Sequence, residues 1–287
     1  MTAVIVAVSG GNPVVLTQAD SHALPSGPFE IGHRSLQAGL RNWVEQQTGH
    51  PLGYIEQLYT FADSDRSRAG QRAISISYLG LTQAEPAQKA ALGSWRNWYD
   101  FFPWEDHRAG KPALLADAMT PSLRAWADSA DSAIARDGRW RRAALAFGLG
   151  ERRWNEELAL QRYELLYEAG LVEESRIAGK EAWIGRAMSG DHRRILATGI
   201  GRLRTKIKYR PVVFELMPPA FTLLQLQRTV EALAGLGVHK QNFRRLIEQQ
   251  DLVEETGQVS ADTGGRPAKL FRFRHAVLDE RPVAGTK

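Results

Sequence analysis

Residues 238–274, VHKQNFRRLIEQQDLVEETGQVSADTGGRPAKLFRFR, contain the change of period that decides how the C-terminal part of the chain folds. The first third repeats apolar residues at helical spacing, with Phe243, Leu246 and Ile247 on one side. His239, Lys240, Gln241, Asn242, Arg244 and Arg245 fall elsewhere on that helix. The rest passes through Leu252-Val253 and a glycine-containing loop into a strand where basic and aromatic residues alternate. A helix presenting polar donors, followed by a basic hairpin, suits reading a DNA groove and gripping its phosphates. Arg to guanine and Asn or Gln to adenine are the pairings such a helix makes, each worth about 1–3 kcal/mol of discrimination. In Gly264-Gly265-Arg266-Pro267 the flanking residues extend the backbone, so Arg266 is the candidate for a narrow minor groove. Lys269, Arg272 and Arg274 are within reach of phosphates on that strand.

Immediately upstream, Met217-Pro218-Pro219 reads as a short, stiff boundary. Thr222 and Gln225 form a capping box that opens a helix whose stripe is Leu223, Leu226, Val230 and Leu233. Gly235-Leu236-Gly237 is the turn. Residues 215–287 thus read as a winged helix-turn-helix domain, although a third helix of that motif is not evident. Residues 277–287 read as a loosely held tail.

Composition supports a polyanionic partner for this region. The chain of 287 residues carries a net charge of +5. From Arg202 onward there are 15 Lys and Arg against 9 Asp and Glu, whereas the first 201 residues hold 22 against 23. The positive charge is therefore concentrated in the C-terminal part. With no cysteine, disulfide and thiol chemistry are excluded. No stretch approaches the roughly 18 apolar residues that span a bilayer, and the start lacks a signal-peptide pattern, which together fit a cytoplasmic protein without a membrane partner.

The N-terminal part is of mixed type. Two β-branched runs at 2–8 and 14–18 flank Ser9-Gly10-Gly11-Asn12-Pro13, a hairpin signal. A Gly/Pro loop at 24–32 leads to a helix from Ser35, with Leu36, Leu40, Trp43 and Val44 on one face and Gly49 after its end. Residues 54–62 and 72–81 read as paired strands joined by the loop 63–70, and Ile74, Ile76 and Tyr78 alternate as a buried face.

This frame resembles the Nudix fold, an α/β/α sandwich. In that family a Gly is followed by a Glu and then by a helix reading Arg-Glu-x-x-Glu-Glu-x-Gly, whose carboxylates hold Mg²⁺ against a diphosphate. Here Gly27 fits the first Gly, but His33 stands at the Glu position, and the helix ends Glu45-Gln46-Gln47-Thr48-Gly49. Counted from Gly27, Arg41 and Glu45 match; counted back from Gly49, the paired glutamates are Gln46 and Gln47. One carboxylate on the helix is too few for a hydrolase site, so neither catalytic residues nor metal ligands are assigned. The alternative is an active hydrolase of ADP-ribose or a dinucleotide using Glu30, Glu45 and Glu56, with an appended nucleic-acid-binding module.

Tyr54-Ile55-Glu56-Gln57-Leu58-Tyr59-Thr60-Phe61 with Arg72-Ala73-Ile74-Ser75-Ile76-Ser77-Tyr78-Leu79 closely resembles the pattern of the Nudix-related transcriptional regulators (NrtR-like). The run at 203–227 resembles their alphaproteobacterial branch (NadQ-like). The resemblance implies a dimeric repressor of NAD biosynthesis genes on a palindromic operator. It also implies an adenine nucleotide effector, NAD, ADP-ribose or ATP, with no required cofactor. Arg41 and Arg72 are candidates to clamp its diphosphate. Trp43, Tyr59 and Phe61 are candidates to stack its adenine, although sheet core is the plainer role for those rings, and Glu56 completes the expected effector set.

From about residue 84 to 190 the sequence reads as helical. The aromatic cluster at 94–104 is expected to be a packing hub. Helices are expected at 121–135, at 151–169 with a stop at Gly170, and at 192–203, followed by a strand at 206–215. The expected architecture is α+β: a Nudix-like domain over 1–214 with a helical insertion at about 105–190, then the winged helix over 215–287. A pure protein-interaction module, with the basic wing on acidic protein, is a third reading.

Overall fold

The computed structural model describes residues 1–18, 21–50, 52, 54–62, 74–83, 93–175, 184–209, 212–260 and 267–274. Strands β1 (Thr2–Ser9) and β2 (Asn12–Gln18) form the expected hairpin, with Gly10 and Gly11 in its turn. Helix α1 (Leu36–Thr48) follows, with the Ser35 side chain accepting from Ala38 N and Gly49 closing the helix in the left-handed conformation. Next come β3 (Tyr54–Phe61), β4 (Ser75–Leu81) and β5 (Gly93–Asn97). The sheet order is β3-β4-β1-β2-β5. β1 and β4 are parallel, which requires the crossover that α1 supplies, and the other pairs are antiparallel.

Both faces of this sheet are covered. Ala3, Ile5, Leu16 and Tyr78 pack against Leu40 and Val44 of α1. Val4, Val6, Val15, Leu79 and Leu81 face the opposite layer, the main core. That layer is built from α2 (Trp98–Phe101), α3 (Thr120–Asp128), α4 (Ala133–Phe147), α5 (Ala159–Glu168) and the long α6 (His192–Tyr209). Trp98, Phe101, Phe102 and Trp104 are fully buried within it, the packing role expected of that cluster. The C-terminal part adds α7 (Leu223–Ala234), α8 (Lys240–Gln250), β6 (Val253–Ser260) and β7 (Ala268–Phe273). The architecture is α+β: a Nudix-like sandwich followed by a winged helix. Among the described residues no helix is long and apolar enough to cross a membrane.

Several expectations are corrected. Residues 93–97 are strand β5, not helix; Trp95 and Arg96 alternate across it, and it pairs with β2 along the edge. The helix expected at 121–135 is two, because Ser129 ends α3 and the Ser132 hydroxyl caps α4. The helix expected from 151 has its first turn at Glu156–Leu158. The strand expected at 206–215 is absent: α6 runs on through Tyr209, and Val212–Leu216 is a 3-10 turn. Lys206 and Lys208 extend from α6 to carboxylates on neighbouring elements, Glu56 and the pair Glu156 and Glu157, and cations near a helix C-terminus oppose its dipole. Ile74 is exposed and Ser77 buried, because β4 is covered on both faces from Ser77 onward rather than on one. The loop 63–70 and the tail from 277 lie outside the described residues.

Candidate functional site

The C-terminal winged helix is assembled around α7. The Thr222 and Gln225 capping box is present. Just before it, Phe221 exchanges both backbone hydrogen bonds with Phe271 of β7, at 2.9 and 2.8 Å. Phe214, in the 3-10 turn at Val212–Leu216, stacks on Phe273 at 4.4 Å. In the turn after α7, the Gln227 amide donates to the Val238 carbonyl at 2.9 Å, and Glu231 accepts from Val238 N at 2.9 Å. Gln227 also donates to Glu231 at 3.0 Å. Two side chains of α7 thus fix both polar groups of the residue that leads into α8.

Phe243 and Ile247 are the buried contacts of α8. His239, Lys240, Gln241, Asn242, Arg244 and Arg245 are all exposed, as the sequence led one to expect. Among the described residues, no ion pair holds Lys240, Arg244 or Arg245. Leu246, expected to pack inward, is instead 48% exposed, and Phe243 and Ile247 are the residues of α8 that enter the core. On the wing the basic side chains are paired: Lys269 with Glu255 at 2.8 Å, Arg272 with Glu254 at 2.6 Å and Arg274 with Asp251 at 2.7 Å. The Lys269 and Arg272 pairs are exposed on both sides, worth about 0–1 kcal/mol, so a phosphate can displace the acid at little cost. Arg266 lies outside the described residues.

The reader is joined to the rest through the C-terminal end of α7, where helix carbonyls lack intrahelical donors. Tyr99 Oη donates to Ala232 O at 2.7 Å, Arg204 Nε to Leu233 O at 3.0 Å and His107 N to Gly235 O at 2.7 Å. Gly235 has φ +72°, and a Cβ there would sit 2.3 Å from Glu105 O. Only glycine meets both the left-handed turn and that close approach. Behind this joint, Glu105 is fully buried between Arg162 and Arg204. Burial alone would raise its carboxyl pKa, but the two guanidinium groups outweigh that and hold it below the ordinary value. Nothing in the sequence reading singled out Glu105, Arg162 or Arg204; three charged residues far apart in the chain carry no local signal.

In the Nudix-like part the predicted effector residues divide between the two faces of the sheet. Arg41 and Trp43 are on α1. Arg41 donates to Leu52 O, and Trp43 packs over Gly27 and donates to Pro28 O at 2.9 Å. Glu56 faces the other way, toward α6, where it pairs with Lys206 and accepts from Tyr54 Oη at 2.7 Å. Tyr59 is 54% exposed on edge strand β3, edge-on to Phe61 with centroids 4.9 Å apart. Phe61 is 2% exposed, with the Arg194 guanidinium 5.4 Å above it, so it is core. Arg72 lies outside the described residues.

The residues at the Nudix metal positions do not fit a magnesium ion. Gln47 accepts from Ser26 N at 2.9 Å and donates to Ser26 O at 2.7 Å, a two-way clamp that a carboxylate cannot form. His33 Nδ1 accepts from Glu30 N at 3.1 Å. Glu56 is on the opposite face of the sheet from α1, which carries Glu45. Among the described residues, no three acidic or histidine side chains converge.

Comparison with known proteins matches residues 213–273 to the family described as the NrtR DNA-binding winged helix domain. The C-terminal segment is similar to that winged helix domain. An 83-residue stretch is 42% identical to the ADPR responsive transcriptional repressor NtrR of Acinetobacter baylyi, covering 29% of this chain and 33% of that protein. The chain thus spans about a third of the curated relative's length. Shewanella oneidensis NrtR, crystallised with a 27mer DNA, aligns over 97% of this chain and 94% of its own, with 19% identity and a TM-score of 0.54. A MutT/nudix family protein from Enterococcus faecalis aligns over 95% of this chain and 85% of its own, with 16% identity and a TM-score of 0.55. At those identities the likeness is one of fold alone, and it extends along nearly the whole chain.

Proposed function

We propose that this protein is a transcriptional repressor that binds duplex DNA through α8 and the wing and responds to ADP-ribose through its Nudix-like domain. The observation that carries the reading is the α8 surface. Lys240, Gln241, Asn242, Arg244 and Arg245 stand exposed on a helix whose lead-in is clamped from α7, inside an NrtR-type winged helix. ADP-ribose is favoured over NAD or ATP by the 42% identity to a repressor named for its response to ADPR. Residues 1–214 are taken as the sensor and 215–287 as the reader, paired as a homodimer on a palindromic operator controlling NAD metabolism genes. Tyr59 is an exposed ring in the sensor suited to stack the adenine, with Arg41 as a further candidate contact.

The sensor is proposed to bind ADP-ribose without cleaving it. The Gln47 clamp and the separation of Glu56 from Glu45 support this over the hydrolase using Glu30, Glu45 and Glu56. Fluorescence anisotropy of labelled DNA from the gene's own upstream region, with and without ADP-ribose, tests the reading. ADP-ribose is expected to change the dissociation constant at least about fivefold, the lower end of allosteric coupling. No change in DNA affinity, or release of AMP in the presence of Mg²⁺, refutes it.

A further inference from the structure

Leu246 is the one large apolar side chain standing out among the polar residues of α8, 48% exposed. It lies one turn from Asn242 and from Gln249, and next to Arg245, all of them exposed. Packing does not place it there, because Phe243 and Ile247 are the residues that bury α8. A leucine exposed on this face gains apolar burial when α8 enters a major groove. The apolar group that a major groove displays is the 5-methyl of thymine, while the other base-edge groups there are hydrogen-bond donors and acceptors.

We propose that Leu246 is a specificity-determining residue that reads a thymine through its 5-methyl group, beside the polar readers of the same helix. This rests on the DNA-binding reading above and adds to it a base identity at one position of the site. The contact fits the length of a leucine side chain and needs no hydrogen-bond partner, so neighbouring Asn242, Arg245 and Gln249 remain free to pair with adjacent base edges.

The test uses the full chain and a randomised duplex library. The parent protein is expected to enrich a motif with a strongly preferred thymine. Replacing that thymine by deoxyuridine removes only the methyl group and is expected to weaken the parent about fourfold, the worth of one buried methyl. Leu246→Ala and Leu246→Gln are expected to bind the thymine and uracil duplexes equally, while Leu246→Met keeps the preference. The exposed position leaves all three variants folded, which thermal melting checks. A parent indifferent to uracil at every thymine of its motif overturns the proposal, as does a Leu246→Ala variant that still prefers thymine. A parent that enriches no duplex refutes the DNA-binding reading itself, a result distinct from either.

Discussion

Arg204 Nε donates to the Leu233 carbonyl at 3.0 Å, so the long helix of the Nudix-like part caps the first helix of the winged helix. The same guanidinium reaches Glu105 and the Glu156 carbonyl, which ties the cap to the helical layer behind it. Tyr99 and His107 complete the contact, so the α7 terminus is held at once by three residues of the Nudix-like part. A movement of α6 would therefore be felt at α7, which clamps the lead-in to α8.

Glu105 is the node of that joint. Glu105→Gln leaves two buried guanidinium groups facing a neutral amide, and breaking a buried pair in this way costs about 3–5 kcal/mol. Denaturant unfolding is expected to show a loss of that order, whereas a loss below about 1 kcal/mol would mean that the network is not needed for stability.

The same carboxyl makes stability depend on pH. Its folded-state pKa is depressed by the two guanidinium groups, so its contribution is present in full above the ordinary glutamate value and is lost as pH falls through the lower folded value. The parent is expected to lose stability more steeply on acidification below that range than Glu105→Gln does. Parallel pH–stability profiles for the two proteins give the comparison, and superimposable acid limbs would contradict it.

Glu231→Ala removes the acceptor for Val238 N and a partner of Gln227. A lost hydrogen bond of this kind costs about 1–2 kcal/mol of stability, leaving the domain folded. DNA affinity is expected to fall beyond that, because α8 loses its fixed entry angle. Anisotropy titration alongside a melting curve separates the two effects; unchanged affinity would show that the clamp does not position α8.

Arg245 and Lys269 are expected to differ in kind. Arg245 stands on the outward face of α8, so Arg245→Ala should relax sequence preference and cost about 1–3 kcal/mol on the preferred duplex. Lys269→Ala should weaken all duplexes alike and reduce the salt slope of binding by about one. Titrations on preferred and scrambled duplexes at several salt concentrations distinguish base reading from phosphate contact. Equal losses on both duplexes for Arg245→Ala would remove it as a base reader.

Gln47→Glu restores a carboxylate at a Nudix metal position. It also loses the donor to Ser26 O and repels that carbonyl, so a loss of about 1–3 kcal/mol is expected rather than a gained site. Calorimetric titration with Mg²⁺ should show no new binding, and a new site would contradict the clamp as the role of Gln47.

What the sequence by itself determined was local. The capping box at Thr222 and Gln225, the Ser35 and Gly49 ends of α1, the hairpin at Gly10 and Gly11, and the polar face of α8 all depend on residues within a few positions of one another. Caps, turns and helical spacing act over that range, so they can be read without the fold. The sequence also carried the Nudix-like frame. The tertiary structure decided everything that depends on a distant partner. Lys206-Ile207-Lys208 satisfies both the period of a strand and that of a helix, and Glu56, Glu156 and Glu157 lie on elements 50 to 150 residues away. Leu246 is spaced like a core residue, yet Phe243 and Ile247 are enough to fill the contact it was expected to make. The joint of Glu105, Arg162 and Arg204 spans 99 residues of sequence. Burial and long-range pairing are properties of the packed chain, and no spacing rule within one segment records them.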